Sequence, residues 1–304
     1  MTTAESHTQK LIWQNGSFVP WSEAKSHVLS HSLHYGGGVF EGIRVYATKQ
    51  GPAIFKLEEH VDRLLYSANA LKIPLPYAKE ELISAIKNTV RMNELQYGYV
   101  RPIAYYGEGH LRLDPGNLPV EVVIACWPWG AYLPHESIDI KTSSFIRIHP
   151  KSTVADAKIC GHYVNSILAV LELRGTRYHE ALLLDASGYI AEGPGENFFI
   201  VKNNNIFTPK LGTILSGITR NTIMNLAHSL NYEVIETDLT LEDAYKADEA
   251  FFTGTAAEVS PIRTIDDKEI GTKDVGPITK ILRDAYLDIV SGKNERYLHD
   301  LTFV

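Results

Sequence analysis

The chain has 304 residues, of which 29 are Lys or Arg and 36 are Asp or Glu, for a formal charge of −7. A chain of this length buries roughly three quarters of its unfolded surface. With 44% hydrophobic and 21% charged residues it has globular composition, which excludes a disordered, collagenous or coiled-coil protein.

The length suits two domains, and the scattered Lys and Arg residues argue against a nucleic-acid partner. Two cysteines, Cys126 and Cys160, cannot build a disulfide framework, and no Cys/His cluster suggests a metal. The N-terminus MTTAESHTQK lacks the apolar core of a signal peptide. The longest apolar stretch, Val120 to Leu133, is broken by Glu121, Pro128 and Gly130 and is too short to cross a bilayer. A cytoplasmic protein with no membrane partner is expected.

LIWQ, the pair Asn15-Gly16 and SFVPW predict a β-hairpin, because Asn-Gly tolerates the positive φ of a two-residue turn. Val61, Leu64, Leu65 and Ala68 recur at helical spacing and predict a helix from about Glu58 to Leu71. A second, from Lys79 to Met92, follows the Pro74/Pro76 breaker. GYVRPIAYYG and EVVIACW, rich in β-branched and aromatic residues, predict strands. The Pro- and Gly-bounded PWGAYLP, Pro128 to Pro134, predicts the joint between two domains. Beyond it Val164, Ile167, Leu168 and Leu171 predict a helix. ALLLD, YIAEG, NFFIV and IFTP predict four short strands of a β-meander or small barrel. A helix through Ile223, Leu226, Ala227 and Leu230, the strand EAFFTG and a helix near Pro277 to Val290 complete a two-domain α+β chain.

The dinucleotide, P-loop, zinc-protease and nucleophile-elbow motifs are all absent. Gly36-Gly37-Gly38 is either a tight turn or a weak phosphate cradle. Lys158 lies in DAKICGHYVNSIL, where small and apolar neighbours would partly desolvate it; that disfavours the charged amine and frees it to attack a carbonyl. Tyr163 follows near a helix start. Glu192, in YIAEGPGEN, is either a surface residue beside a turn or the carboxylate that holds a pyridine-ring nitrogen protonated. Ser216-Gly217-Ile218-Thr219 opens a helix and is either an ordinary cap or a phosphate cup. GTAAE, Gly254 to Glu258, is a turn whose amides could receive an anion. Tyr99 and Arg101, two apart in a strand, share a face and suit a carboxylate. Arg63 falls off the apolar stripe of its helix and reaches a phosphate only if the fold brings it inward.

Together these residues are what a pyridoxal-phosphate enzyme acting on amino acids requires. HSLHYGGGVFEGIRVY, EEHVDRL, GYVRP, WPWGAY, AKICGHYVNSILA, EALLLDASGYIAEGPGENFFIV, LSGITR and FTGTAAEVSPI occur in order over nearly the whole chain. They resemble the branched-chain amino-acid aminotransferases of the fold-type IV pyridoxal-phosphate class. The resemblance implies the fold of D-amino-acid-aminotransferase-like proteins. A small α/β domain would span 1–130, a linker 131–137, and a large cofactor-binding domain with a barrel-like sheet 138–304.

It further implies ping-pong transfer of the amino group of leucine, isoleucine or valine to 2-oxoglutarate, with no metal. In that reading Lys158 carries pyridoxal 5'-phosphate covalently and moves the proton at the substrate α-carbon. Tyr163 bonds the cofactor's phenolic oxygen and Glu192 its ring nitrogen. Arg63, Ile218, Thr219 and Thr255 hold the phosphate. Tyr99, Arg101 and the amides around Thr255, Ala256 and Ala257 meet the substrate carboxylate. Tyr35, Phe40, Trp129 and Tyr132 wall the side-chain pocket, and Gly42 leaves room. A homo-oligomer, at least a dimer, is implied as well.

One departure is Arg112 in EGHLRLDPG, where relatives usually place small or apolar residues. It either faces solvent or swings in to pair with a second carboxylate, such as the distal one of 2-oxoglutarate. The alternative activity is a transaminase of the same fold type tuned to D-amino acids or (R)-primary amines.

Overall fold

The computed structural model describes residues 10–130, 132–133, 135–272 and 275–304. The signal-peptide reading falls on residues 1–9, and part of the linker on Ala131 and Pro134; these lie outside the described residues. The chain divides into two compact units. One comprises Met1–Gly130, Ala157–Gly161 and Val290–Val304, the other Ala131–Asp156 and His162–Ile289.

In the first unit Asn15 and Gly16, both at positive φ, turn β1 (Leu11–Gln14) back onto β2 (Ser17–Pro20), with Gln14 facing Ser17. The short helix α1 (His31–Tyr35) stops on Gly36 at φ 68°, and a Cβ there would press on the Gly161 backbone. The glycine triplet is therefore a helix stop and a close backbone approach. It leads into β3 (Gly38–Phe40), β4 (Ile43–Thr48) and β5 (Gly51–Phe55). Helices α2 (Leu57–Ala70) and α3 (Lys79–Met92) bury Val61, Leu64, Ala68, Leu82, Ile86 and Val90 in one core with β6 (Gly98–Tyr106) and β7 (Val120–Trp127). The sheet is antiparallel in the order β5-β4-β6-β7-β1-β2, with β3 also on β6.

The second unit holds β8 (Ile138–Thr142), α4 (Tyr163–Leu171), β9 (Glu180–Leu184), β10 (Ile190–Glu192), β11 (Asn197–Lys202) and β12 (Asn205–Pro209). It continues with α5 (Ile218–Ser229), β13 (Val234–Thr237), α6 (Leu241–Tyr245), β14 (Glu249–Gly254), β15 (Glu258–Ile265), β16 (Lys268–Glu269) and α7 (Pro277–Val290). The path β10-β9-β8-β15-β14-β11 closes on itself because β10 also pairs with β11, giving a six-stranded barrel. Strand alternation sorts the residues: Phe198, Ile200, Ala250 and Phe252 share one core, while Phe199 stacks on Phe251 on the other face. Asn197 and Thr253 are directly paired and lie on that second face.

One expectation needs correction. The Lys158 segment and the chain end belong with the first unit rather than with 138–304. Ile159 bridges Val39, and β17 (Leu301–Phe303) pairs with β5, so hydrogen bonding overrides chain continuity. On α4 the apolar stripe faces outward: Val164 and Ile167 are more than half exposed, and Leu168, Val170 and Leu171 are exposed too, with Ala169 buried. The sequence YVNSILAVL is apolar on nearly every side, so periodicity cannot say which side is covered. No helix among the described residues is long and apolar enough to cross a membrane.

Candidate functional site

In the first unit α2 presents His60, Arg63 and Ser67 on one face, at i, i+3 and i+7. The Ser67 hydroxyl accepts the Lys158 backbone N–H at 2.9 Å, and the Lys158 carbonyl accepts Phe40 N–H. These bonds pin a half-buried lysine beside β3 between two buried residues, Ala157 and Ile159. Lys158 Nζ lies 5.0 Å from the centre of the Phe40 ring, and the Arg101 guanidinium lies 4.7 Å from the same centre.

Arg101 Nη2 donates to the Tyr99 hydroxyl at 3.4 Å, and its buried Nε has no partner. Tyr99 meets Trp129 edge-on at 4.6 Å, and a Cβ on Gly42 would overlap the Tyr99 hydroxyl. Amine, guanidinium and aromatic wall are thus brought together. Tyr35 is exposed on α1 and donates to the Leu111 carbonyl. Arg112 is exposed, with its backbone carbonyl held by His31 Nε2 at 2.9 Å.

Arg63 is drawn inward by a residue that the sequence analysis passed over. Glu41 is completely buried and receives Arg63 Nε at 2.6 Å, Arg63 Nη2 at 2.9 Å, His60 Nδ1 at 2.7 Å and Gly42 N–H at 3.2 Å. Burial alone would raise its carboxyl, but Arg63 and His60 outweigh that and hold it well below the usual carboxylate range. Burial pushes the His60 imidazole down, against the pull of Glu41. A glutamate within the strand-like run VFEGIRVY is the signal that could have exposed this group, since a carboxylate there needs a partner.

In the second unit Glu192 ends β10, buried and opposite Asn197. Its Oε1 accepts Arg147 Nε at 2.6 Å, and its Oε2 accepts Asn197 Nδ2 at 3.2 Å and Leu215 N–H at 3.1 Å. Asn197 also donates to the Leu215 carbonyl, tying Glu192 to the segment before α5. Arg147 and Asn197 were not legible as site residues.

The α5 N-terminus has no side-chain cap and no acidic residue in its first turn, which holds Ile218 and the buried Thr219. A Cβ on its N-cap, Gly217, would overlap Asn197 Oδ1. Such an end receives an anion. Thr255, Ala256 and Ala257 form the turn between β14 and β15, where Gly254 approaches the Gly195 carbonyl, and the buried Thr253 hydroxyl has no partner. Tyr163 opens α4, which the Ser166 hydroxyl ties to the Pro194 carbonyl at 2.8 Å. Tyr132 instead donates at 3.4 Å to Glu180, whose carboxyl burial pushes up to about 7.

Residues 38–265 match the amino-transferase class IV family. The chain is 47% identical to the branched-chain-amino-acid aminotransferase of Pseudomonas aeruginosa, over 97% of each chain. It is 42% identical to the Escherichia coli protein of the same name, over 93% of this chain and 94% of that one. Among solved structures, a T.th. branched-chain amino acid aminotransferase complexed with N-(5'-phosphopyridoxyl)-L-glutamate superposes with a TM-score of 0.94. It is 47% identical and covers 97% of this chain and 98% of its own.

Proposed function

The chain belongs to the amino-transferase class IV family, and we propose that it moves the amino group of branched-chain L-amino acids to 2-oxoglutarate with pyridoxal 5'-phosphate. The observation that carries this reading is the cluster at Phe40, where the Lys158 amine and the Arg101 guanidinium share one aromatic wall. The residues present suit the cofactor: an uncapped helix end beside Gly217 for its phosphate, and a buried, hydrogen-bonded carboxylate at Glu192 for its ring nitrogen. When bound, the cofactor supplies a carbonyl carbon and a ring that takes up the electron pair left at the substrate α-carbon.

Lys158 would hold the cofactor through Nζ and would move the proton at that α-carbon. Glu192 would hold the ring nitrogen protonated, and Tyr163 would bond the phenolic oxygen. Arg63, the amides of Ile218 and Thr219, and Thr255 hold the phosphate. Arg101, Tyr99 and the amides of Ala256 and Ala257 orient the substrate carboxylate. Phe40, Trp129, Tyr35 and Tyr132 exclude water from its side chain, with Gly42 leaving space. The exposed apolar face of α4 supports a homo-oligomer of at least two chains. The partners are then amino and 2-oxo acids in the cytoplasm, with no nucleic acid or membrane.

The test is a half-reaction. L-Leucine, a D-amino acid and an (R)-amine are added separately while the cofactor absorbance is followed. Rapid conversion by L-leucine is expected, and conversion chiefly by either other donor would overturn the substrate assignment.

Two substitutions probe the site further. Gly217→Ala should weaken cofactor binding by about tenfold or more, the loss of one or two hydrogen bonds, as Asn197 is displaced. A cofactor titration reads this. Arg112→Ala should raise KM for 2-oxoglutarate about tenfold, with branched-chain 2-oxo acids little changed. Equal effects on both acceptors would overturn pairing of Arg112 with a second carboxylate.

A further inference from the structure

Glu192 is held by a cation that the proposed chemistry has not yet used. Arg147 lies beyond β8, with its backbone N–H on the Leu184 carbonyl of β9. Its side chain is only 9% exposed. Nε donates to Glu192 Oε1 at 2.6 Å, Nη2 reaches the Ala155 carbonyl at 3.4 Å, and Nη1 is buried with no partner. Arg63, by contrast, engages Glu41 through two nitrogens. Here Arg147 meets Glu192 through Nε at one carboxylate oxygen, and two neutral donors, Asn197 Nδ2 and Leu215 N–H, reach the other. All three contacts favour the anionic carboxylate.

Resting on the cofactor role of Glu192, we propose that Arg147 is a positioning residue that keeps the proton shared by Glu192 and the cofactor's ring nitrogen on the nitrogen. Carboxylates and pyridine nitrogens have comparable basicity, so one proton between them is finely poised. A cation on Oε1 makes the carboxylate the poorer acceptor, and the proton resides on the ring. No bond other than this N–H is involved: the proton leaves neither partner for solvent but changes side. A protonated ring accepts the α-carbon electron pair better, so Arg147 acts on the reaction through Glu192 and touches neither substrate nor Lys158.

The experiment reconstitutes the enzyme with pyridoxal 5'-phosphate labelled with ¹⁵N in the ring and reads the nitrogen chemical shift. The wild type should show a protonated pyridinium nitrogen. Arg147→Gln, which retains a donor toward Oε1 without the charge, should move the signal toward a neutral pyridine and slow α-proton removal from L-leucine by about tenfold or more. Arg147→Lys should restore both, and Arg147→Met serves as a second neutral variant if the glutamine protein does not fold. An unchanged nitrogen signal in the neutral variants would overturn the proposal and leave Arg147 a structural clamp. A Glu192→Gln enzyme that also kept the wild-type signal would instead remove Glu192 from the ring nitrogen, so failure of the underlying reading is seen separately.

Discussion

Lys158→Ala is expected to abolish steady-state amino transfer from L-leucine to 2-oxoglutarate, with a rate loss of about 10⁴-fold, because in the proposed role it would remove both the covalent anchor and the acid/base. The fold survives. Ser67 and Phe40 hold this position through its backbone N–H and carbonyl, and a half-buried lysine stem leaves no sealed cavity when truncated. Denaturant unfolding should therefore shift by less than about 1 kcal/mol. Retained activity would remove Lys158 from the chemistry, whereas loss of both activity and fold would make the residue structural.

Glu41→Ala is expected to have the largest effect on stability, about 3–5 kcal/mol, since it leaves the Arg63 guanidinium inside the protein without its carboxylate. Cofactor affinity should fall with it, because Arg63 is then no longer aimed. Denaturant unfolding at fixed protein concentration and a cofactor titration measure the two effects. A loss under about 1 kcal/mol would mean that solvent reaches Arg63 freely.

The same cluster predicts acid sensitivity. His60, ordinarily near 6.5, is pushed down by burial first and by the Arg63 and Lys158 charges as well, so it stays neutral where the unfolded chain takes up a proton. The unfolded state then binds more protons, and stability falls as pH drops below about 6.5, by at most about 1.4 kcal/mol per pH unit for one group. Glu41 has its carboxyl held below its ordinary 4.5, so its contribution is present above that value and is lost on further acidification. Comparing unfolding at pH 8 and pH 5 tests this. The drop should be smaller in His60→Asn, and an equal drop would place the proton uptake elsewhere.

Much of the fold was legible because it is local. The Asn15-Gly16 turn, the helix Lys79–Met92 and the final helix Pro277–Val290 follow from turn chemistry, breakers and a 3.6-residue period. The helix expected over 58–71 forms as Leu57–Ala70. Lys158, Phe40, Tyr99 and Arg101 were singled out and do converge. Glu41, His60 and Arg147 were not, since each gains its meaning from a partner distant in sequence. Arg147 and Glu192 are 45 residues apart, and Glu41 and Arg63 are 22 apart. The outward stripe of α4 was not legible for a related reason: a helix apolar on almost every side carries no directional signal.

By itself, then, the sequence determined the elements, their punctuation and the residue types able to do the chemistry, because these depend on sterics and burial over a few residues. Tertiary structure decided which unit holds Lys158, that Arg63 faces inward, and that Glu192 carries a cation on one oxygen. Those outcomes rest on pairings between distant segments, Ile159 with Val39, Arg63 with Glu41 and Arg147 with Glu192. Such pairings form only when the sheet and the barrel close as a whole.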